Sequence, residues 1–317
     1  MRFYMNLSRS IALFLLLLVP GCAPTSTKQV VRTLAGYAPQ GKTRTPEITQ
    51  NPPIITVWVH GTRFFPEPVL KKFFYCKDGL NHYTSLDPSY RHHTLCQTLI
   101  DSDPDRFIAE YFYLFGWSGS LSFKEREKAA KKLYLQLKAL RDEYVKKYGV
   151  EPKIRLIAHS HGGNVALLLE KVKDANDLEF SIEELIMLAT PVQYETKQYA
   201  ASPLFKKVYS LYSHFDSLQV IDPQGWQTKA KDAPLFSERR FTSDDKICQC
   251  AIKMNNRSIM HVEFIKGKFL CKLPFVLNAL DIWQKEIKLK NENWHSSEKC
   301  LNVTIKNSSS KNDWQAL

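Results

Sequence analysis

The chain has 317 residues, 44% of them hydrophobic, and carries 44 basic against 32 acidic side chains, a net charge of +12 at pH 7. That length is enough for one large domain with a substantial core, or for two small domains. The positive charge suits an anionic membrane or an acidic polymer. The sequence has no zinc-finger spacing, no RNA-binding aromatic motif and no internal repeat, so nucleic acid is not an expected partner.

Residues 1–21 are predicted to be a secretory signal peptide. Two arginines flank the start, and the apolar run from Ile11 to Val19 is shorter than the ~20 residues that a membrane-spanning helix needs. The following Val-Pro-Gly-Cys22 resembles the lipobox of bacterial lipoproteins, in which the cysteine becomes the lipidated first residue. The resemblance implies an exported lipoprotein, anchored through Cys22 to a membrane of the cell envelope, at the outer membrane or the periplasmic face. An uncleaved anchor and a plain signal peptide are the alternatives.

The next segments are a tether and the first strand of a domain. Residues 22–53 are predicted to be the lipidated cysteine and a polar tether, because Thr, Pro, Gln and Lys dominate them. The β-branched run Ile54–Val59 predicts a buried strand that ends in a turn at His60-Gly61-Thr62. A short helix over 66–75 and a loop-like stretch over 76–105 are expected next.

From there the chain alternates strands and helices. Strands are predicted at Phe107–Phe115, Ile154–Ala158, Leu185–Leu188, Val208–Tyr212 and Ile247–Met254. Helices are predicted after a capping box at Ser122, over Asn164–Val172, and over Leu273–Ile287. This alternation predicts an α/β domain over 54–287, with a mostly parallel sheet flanked by helices on both faces. Residues 288–317 are expected to form a polar, mobile tail.

Six of the seven cysteines follow Cys22, and an even number in an exported chain permits disulfides. Cys76 and Cys96 bracket one polar stretch and are the predicted pair. Cys248 and Cys250 lie two apart on a predicted strand, so they face the same side and should not bond each other. Because no metal-ligand spacing and no phosphate-binding glycine motif is present, neither a metal nor a cofactor is expected.

Ser160 follows the third predicted strand, and ligands bind at the carboxyl edge of a parallel sheet. A serine hydroxyl needs a fixed, exposed geometry and a neighbouring base before it acts as a nucleophile. A tight strand-to-helix turn supplies that geometry if the residues two before and two after the serine are small, as Ala158 and Gly162 are. The side chains of His159 and His161, as neighbours of the serine in the chain, are expected to point away from its hydroxyl and to line the mouth of a pocket.

This turn resembles the Gly-x-Ser-x-Gly elbow of the α/β-hydrolase superfamily, in its lipase and esterase branch, with Ala158 in place of the first glycine. Two further motifs resemble the same family: His60-Gly61-Thr62 after an early strand, and Phe115–Gly119 at a strand end. The resemblance covers residues 54–285 and implies an α/β-hydrolase fold. Only about twenty residues, 189–207, lie where family members often insert a lid, so a small lid or none is expected.

The resemblance also implies roles for individual residues, since the family places its serine, acid and histidine in that chain order. Ser160 would be the nucleophile, His261 the base, and Asp216 the acid that orients His261. The backbone N–H groups of Thr62 and His161 would form the oxyanion hole.

Three other residues compete for these roles. Asp222 is the alternative to Asp216, although an aspartate before proline is typical of a turn. His214 and His295 compete with His261, but His214 lies two residues before the acid and His295 lies in the polar tail.

Together these features predict a serine hydrolase of the esterase or lipase type, which cleaves acyl esters through an acyl-enzyme at or near a membrane. Its expected partners are a lipid or another acyl ester, and the membrane that holds its anchor. Two alternatives stay open: an acyltransferase that uses the same triad, and a non-catalytic lipoprotein adaptor on a hydrolase fold. The sequence does not set acyl length or oligomeric state.

Overall fold

The structure is a computed structural model that describes residues 30–35, 53–63, 75–173, 180–221, 237–242, 244–289 and 301–306. Within these residues one ten-stranded sheet forms the centre of the protein. Its strands are β1 (Val30–Ala35), β2 (Ile54–Val59), β3 (Gly79–His82), β4 (Phe112–Gly116), β5 (Lys153–His159), β6 (Ile182–Leu188), β7 (Phe205–Tyr212), β8 (Ile247–Met254), β9 (Arg257–Ser258) and β10 (Leu301–Lys306).

The strand order is β3-β4-β2-β5-β6-β7-β8-β10-β1, with β9 paired to β8 outside this row. Pairing is parallel throughout except for β3 with β4 and β9 with β8. After β2 the chain adds β4 on one side and β5 on the other, so the direction of strand addition reverses at β2. A crevice therefore opens beyond the carboxyl ends of β2 and β5, which is where open parallel sheets bind ligands.

Helices cover both faces of this sheet, as the sequence predicts. They are α1 (Arg91–Ser102), α2 (Phe123–Tyr148), α3 (His161–Leu167), α4 (Leu169–Val172), α5 (Gly267–Leu270) and α6 (Leu273–Leu289). One core packs α1, α5 and α6 on one face, and a second packs α2, α3 and α4 on the other. Mostly parallel strands between two helical layers fit the expected α/β-hydrolase fold. None of the helices in the described ranges is long and apolar enough to cross a membrane.

Strand β5 shows how one strand serves both cores. Leu156 and Ala158 belong to the core under α3, whereas Ile157 belongs to the core on the opposite face. Successive side chains of a strand point to opposite faces, so a strand buried on both sides is apolar at most of its positions. This explains the continuous apolar run that leads into Ser160.

The stretch 76–105 is not loop-like, contrary to the expectation from the sequence. It contains β3 and the twelve-residue helix α1, whose buried face includes Leu95, Cys96 and Leu99. The helical spacing is hard to recognise because His92 is also buried on this face, and a histidine scores as polar in a hydrophobic pattern. The predicted helix over 66–75 lies almost wholly outside the described residues.

The chain termini also depart from expectation. Val30–Ala35 falls in the predicted tether and Leu301–Lys306 in the predicted tail, yet β10 pairs with β8 and β1 pairs with β10. Leu301, Val303 and Ile305 alternate along β10 and are buried in the core. This period of two is the pattern of a strand. By pairing with β8, strand β10 covers the sheet edge that β8 would otherwise expose. The remaining residues of 22–52 and 290–317 lie outside the described ranges.

Replacing Ile305 by Ala tests whether β10 is part of the core. We expect the free energy of unfolding to fall by about 2–5 kcal/mol, the usual loss for truncating a buried isoleucine. The matched control is Ile282→Ala on α6, where the side chain is exposed and the change should stay within about 0.5 kcal/mol. Urea denaturation followed by circular dichroism measures both. Equal, small changes in the two variants would show that β10 does not dock on β8.

Candidate active site

Ser160 occupies a sharp turn between β5 and α3. Its backbone has φ 54° and ψ −135°, a positive-φ conformation that is uncommon for a residue with a side chain and that concentrates at functional sites. The turn is held by hydrogen bonds on both sides. The Ser160 N–H donates to Leu188 O at 2.9 Å, and the Gly163 N–H donates to Ser160 O at 2.9 Å.

The positions around Ser160 that hold glycine have no room for the Cβ atom of any other residue. A Cβ placed on Gly162 would lie 2.5 Å from Val59 O, and one on Gly163 would lie 2.1 Å from a threonine hydroxyl oxygen. A Cβ on Gly61 would lie 2.7 Å from the Cβ of Ser160. The turn therefore packs directly against the carboxyl end of β2, and Gly61, which follows β2, is in contact with Ser160.

Asp216 and His261 are joined by a buried hydrogen bond. Asp216 follows β7 and is only 1% exposed. The His261 Nδ1–H donates to Asp216 Oδ2 at 2.8 Å, and the Gln219 backbone N–H donates to Asp216 Oδ1 at 3.1 Å. With Nδ1 committed to the carboxylate, Nε2 is the free acceptor of this imidazole.

His261 lies against the Ser160 turn. Its ring centroid is 4.8 Å from that of His159, and His159 Nε2 is 3.3 Å from His261 O. No hydrogen bond joins the Ser160 hydroxyl to His261 in the described part of the chain; such bonds are often long in enzymes without substrate. The structure thus brings the predicted serine turn, base and acid to one end of the sheet.

The imidazoles on either side of Ser160 are buried rather than at a pocket mouth. The amide nitrogen Nδ2 of Asn164 lies 3.3 Å from Nδ1 of His161, within hydrogen-bonding distance. Burial is the main cause that lowers the pKa of both His159 and His161 well below the usual value, and the nearby charge of His261 lowers both further. Both rings are therefore neutral at pH 7.

The two predicted oxyanion donors lie next to the serine. His161 is the first residue of α3, so its N–H has no acceptor within the helix. Thr62 is buried and directly follows Gly61, which contacts Ser160. The structure thereby places both residues beside Ser160.

His60 has a structural role that the sequence pattern did not indicate. The Trp117 backbone N–H donates to His60 Nε2 at 3.1 Å, and the Trp117 indole N–H donates to His60 O at 2.8 Å. Burial lowers the pKa of His60 well below its usual value, and a neutral ring has the acceptor that Trp117 needs. The Arg63 N–H donates to Gly119 O at 2.9 Å. These contacts hold the loop 60–63 on the end of β4, and they account for the Phe115–Gly119 motif.

The predicted Cys76–Cys96 disulfide is not formed in the structure, where both are free thiols. Both side chains are buried in the apolar core beneath α1, where they pack as small apolar groups. Burial raises the pKa of Cys76 to about 12 and that of Cys96 well above its usual value. A thiol with so high a pKa supplies almost no thiolate, the form that forms disulfides by exchange.

Three predicted candidates cannot be placed: Cys22, Asp222 and His295 lie outside the described residues. His214 is described, and it is exposed beside the ring of Tyr212. Among the side chains that the structure describes, no group of three or more His, Cys, Asp or Glu could hold a metal ion.

No protein-family model matches the chain, and no curated protein sequence is significantly similar to it. Two of the solved structures with similarity to the chain have low TM-scores. The phospholipase PlaB from Legionella pneumophila, in complex with thio-NAD, is 19% identical over 44% of this chain, with a TM-score of 0.27. A serine-to-alanine mutant of LAE6, an α/β hydrolase enzyme from the metagenome of Lake Arreo, Spain, is 10% identical over 82% of this chain, with a TM-score of 0.33. The matched parts are 25% of the first protein and 67% of the second.

Gly162→Ala tests the close packing of the turn. The added Cβ would overlap the carbonyl oxygens of Val59 and His60, so we expect the free energy of unfolding to fall by about 1–3 kcal/mol. The control is Gly267→Ala at the start of α5, where no neighbour lies within 4 Å of the position that an alanine Cβ would take and alanine should be neutral or slightly stabilising. Thermal and urea unfolding report both. A Gly162→Ala protein as stable as Gly267→Ala would contradict the packing described here.

Proposed function

We propose that the protein is a serine hydrolase that cleaves acyl esters through a covalent acyl-enzyme. The observation that carries the proposal is the buried 2.8 Å hydrogen bond between Asp216 and His261, formed beside the strained turn at Ser160. A nucleophilic serine needs a base and a third group that orients the base, and Ser160, His261 and Asp216 are of the residue types that those roles need.

The chemistry follows from the hydrogen-bond pattern. Asp216 accepts a hydrogen bond from the His261 Nδ1–H, which leaves Nε2 to accept the proton of the Ser160 hydroxyl. The serine oxygen forms a bond to the ester carbonyl carbon, and His261 then donates its proton to the departing alcohol oxygen. Water, activated by the same Nε2, attacks the acyl-enzyme and releases the carboxylic acid, returning the proton to Ser160.

The surroundings support the charges that this reaction creates. The N–H groups of Thr62 and His161 would stabilise the oxyanion of each tetrahedral intermediate. Asp216 stabilises the cation that forms on His261. Because burial keeps His159 and His161 neutral, neither ring repels that cation.

Exposed apolar side chains flank the proposed triad and support a substrate with an acyl chain. Phe215, Met260 and Val262 are 55%, 50% and 43% exposed. Each is adjacent in the chain to Asp216 or His261. Exposed apolar side chains next to a proposed site are consistent with binding of an apolar group there.

We further propose that residues 1–21 direct export and that Cys22 carries a lipid anchor, which would hold the enzyme at a membrane of the cell envelope. The support is the apolar run before Val-Pro-Gly-Cys22.

Labelling of growing cells with a radioactive fatty acid tests this anchor. The label should appear on the wild-type chain and disappear from Cys22→Ser, because that thiol would be the attachment point. The control is Cys271→Ser, a partly exposed cysteine that should keep the label. Label that persists in Cys22→Ser, or that never appears on the wild type, would rule out lipidation at this residue.

A fluorophosphonate probe, which reacts with activated serines, tests the triad. Labelling of the full chain should be lost in Ser160→Ala and in His261→Ala. Asp216→Asn should lower ester turnover by about 10⁴-fold, as loss of the orienting carboxylate does in serine proteases. The control is Ser120→Ala, an exposed serine outside the site, which should label like the wild type.

The same samples decide between the hydrolase and an adaptor. Near-ultraviolet circular dichroism establishes that each variant is folded. A folded wild-type protein that neither labels nor turns over any ester would contradict the proposal. Label that survives in Ser160→Ala would place the nucleophile elsewhere, and chromatography of the products distinguishes free acid from an ester formed with an added alcohol.

A further inference from the structure

The side chain of Gln219 is fully buried close to the proposed acid. Gln219 ends the short turn Ser217–Gln219 that begins directly after Asp216, and its exposed fraction is 0%. A primary amide carries N–H donors and an acceptor oxygen, and a buried polar group without a partner costs free energy. The turn that carries this side chain must therefore lie where the amide finds its partners.

The Gln219 amide bridges the carboxyl ends of β6 and β7. Its Nε2–H donates to Thr190 O, just beyond the end of β6, at 2.9 Å. Its Oε1 accepts a longer and weaker hydrogen bond from the Ser213 N–H, directly after β7, at 3.5 Å. Thr190 and Ser213 are both buried, so the packing of the two strand ends sets the position of the amide.

The backbone of Gln219 also contacts the proposed acid. Its N–H donates to Asp216 Oδ1 at 3.1 Å, while Asp216 Oδ2 accepts the hydrogen bond from His261. One carboxylate oxygen is thus held by the turn and the other by the proposed base. Because the carboxylate orients the imidazole, a displacement of the turn would be passed on to His261.

Thr190 connects this arrangement to the serine turn. A Cβ on Gly163 would lie 2.1 Å from Thr190 Oγ1, so Thr190 packs directly on the first turn of α3. The Ser160 N–H donates to Leu188 O, at the end of the same strand that leads to Thr190. The Gln219 side chain therefore joins the turn of the proposed acid to the segment that supports Ser160.

We propose that Gln219 is a positioning residue, whose amide sets the distance between the Asp216–His261 pair and the serine turn. The inference rests on the proposed serine hydrolase function. The base and the nucleophile lie on different segments of the chain, so their separation depends on contacts that join those segments. A misplacement of about 1 Å can lower the rate about 100-fold. The amide acts through its neighbours and does not touch the substrate.

Gln219→Met tests the proposal in the full-length protein, with p-nitrophenyl butyrate as the substrate. Methionine has a similar length and keeps the backbone N–H but lacks the amide, so we expect kcat to fall about 10- to 100-fold with KM little changed. The control is Gln284→Met on α6, where another buried amide donates to Asp245 O at 2.9 Å. Asp245 precedes β8, at the opposite edge of the sheet from Ser160, so this variant should keep the wild-type kcat.

Proton NMR separates this inference from the proposed reaction. The proton on His261 Nδ1, which is buried and hydrogen-bonded to a carboxylate, should give a resonance far downfield that is absent from His261→Ala. We expect this resonance to shift or disappear in Gln219→Met and to persist in Gln284→Met. That result would support the positioning role even if the ester were not hydrolysed.

Two results would overturn the inference. A Gln219→Met protein that is folded by near-ultraviolet circular dichroism, with the wild-type kcat and resonance, would leave the serine hydrolase intact and remove the role of the amide. Equal losses of kcat in Gln219→Met and Gln284→Met would show that the loss of any buried amide has this effect. If Gln219→Met does not fold, Gln219→Asn decides: its amide is one methylene shorter, so kcat should fall and the resonance should shift, and wild-type values of both would overturn the inference.

Discussion

The close approach of α3 to the end of β2 is the constraint on which the site depends. The first turn of this helix lies so near the Val59 carbonyl that only glycine fits at position 162. This approach forces the backbone of Ser160 into a positive φ and directs the N–H of His161 out of the helix end. It also brings the Gly61 loop against Ser160. A strained residue of this kind persists only where surrounding contacts over-determine it, and here β2, β6 and α3 all contribute.

The buried histidines of the site differ in their hydrogen-bond partners. His60, His92, His159 and His161 are enclosed, and burial lowers the pKa of each, that of His92 to about 4. A buried imidazole without a carboxylate partner stays neutral because its charged form would lose hydration. In His261 the Nδ1–H donates to the carboxylate of Asp216. The packing therefore gives one imidazole of this group a carboxylate partner, and that imidazole lies against His159 of the Ser160 turn.

Strand β10 supports the segment that carries His261. Strand β8 leads through β9 into His261, and β10 pairs along the outer side of β8. The Asn255 N–H, in the turn after β8, donates to Ile305 O at 2.8 Å. A strand at the edge of a sheet is less constrained than one paired on both sides. With β10 and β1 added, β8, which leads to the proposed base, is an interior strand of the sheet and not an edge strand.

The sequence alone determined the features that arise from short stretches of chain. Continuous apolar runs marked the buried parallel strands, the capping box marked α2, and small residues around Ser160 marked the sharp turn, because sterics and side-chain period act over a few residues. The order of Ser160, Asp216 and His261 could be read through a family resemblance, before any contact between them was known.

Tertiary structure alone decided the features that join distant segments. Asp216 meets His261 across 45 residues, and His60 meets Trp117 across 57; no local pattern encodes either contact. The sequence pattern did not predict helix α1, because the buried His92 interrupts the apolar spacing of its inner face. The place of β10 beside β8 depends likewise on which segments pack together, and packing is a property of the whole fold rather than of any short sequence.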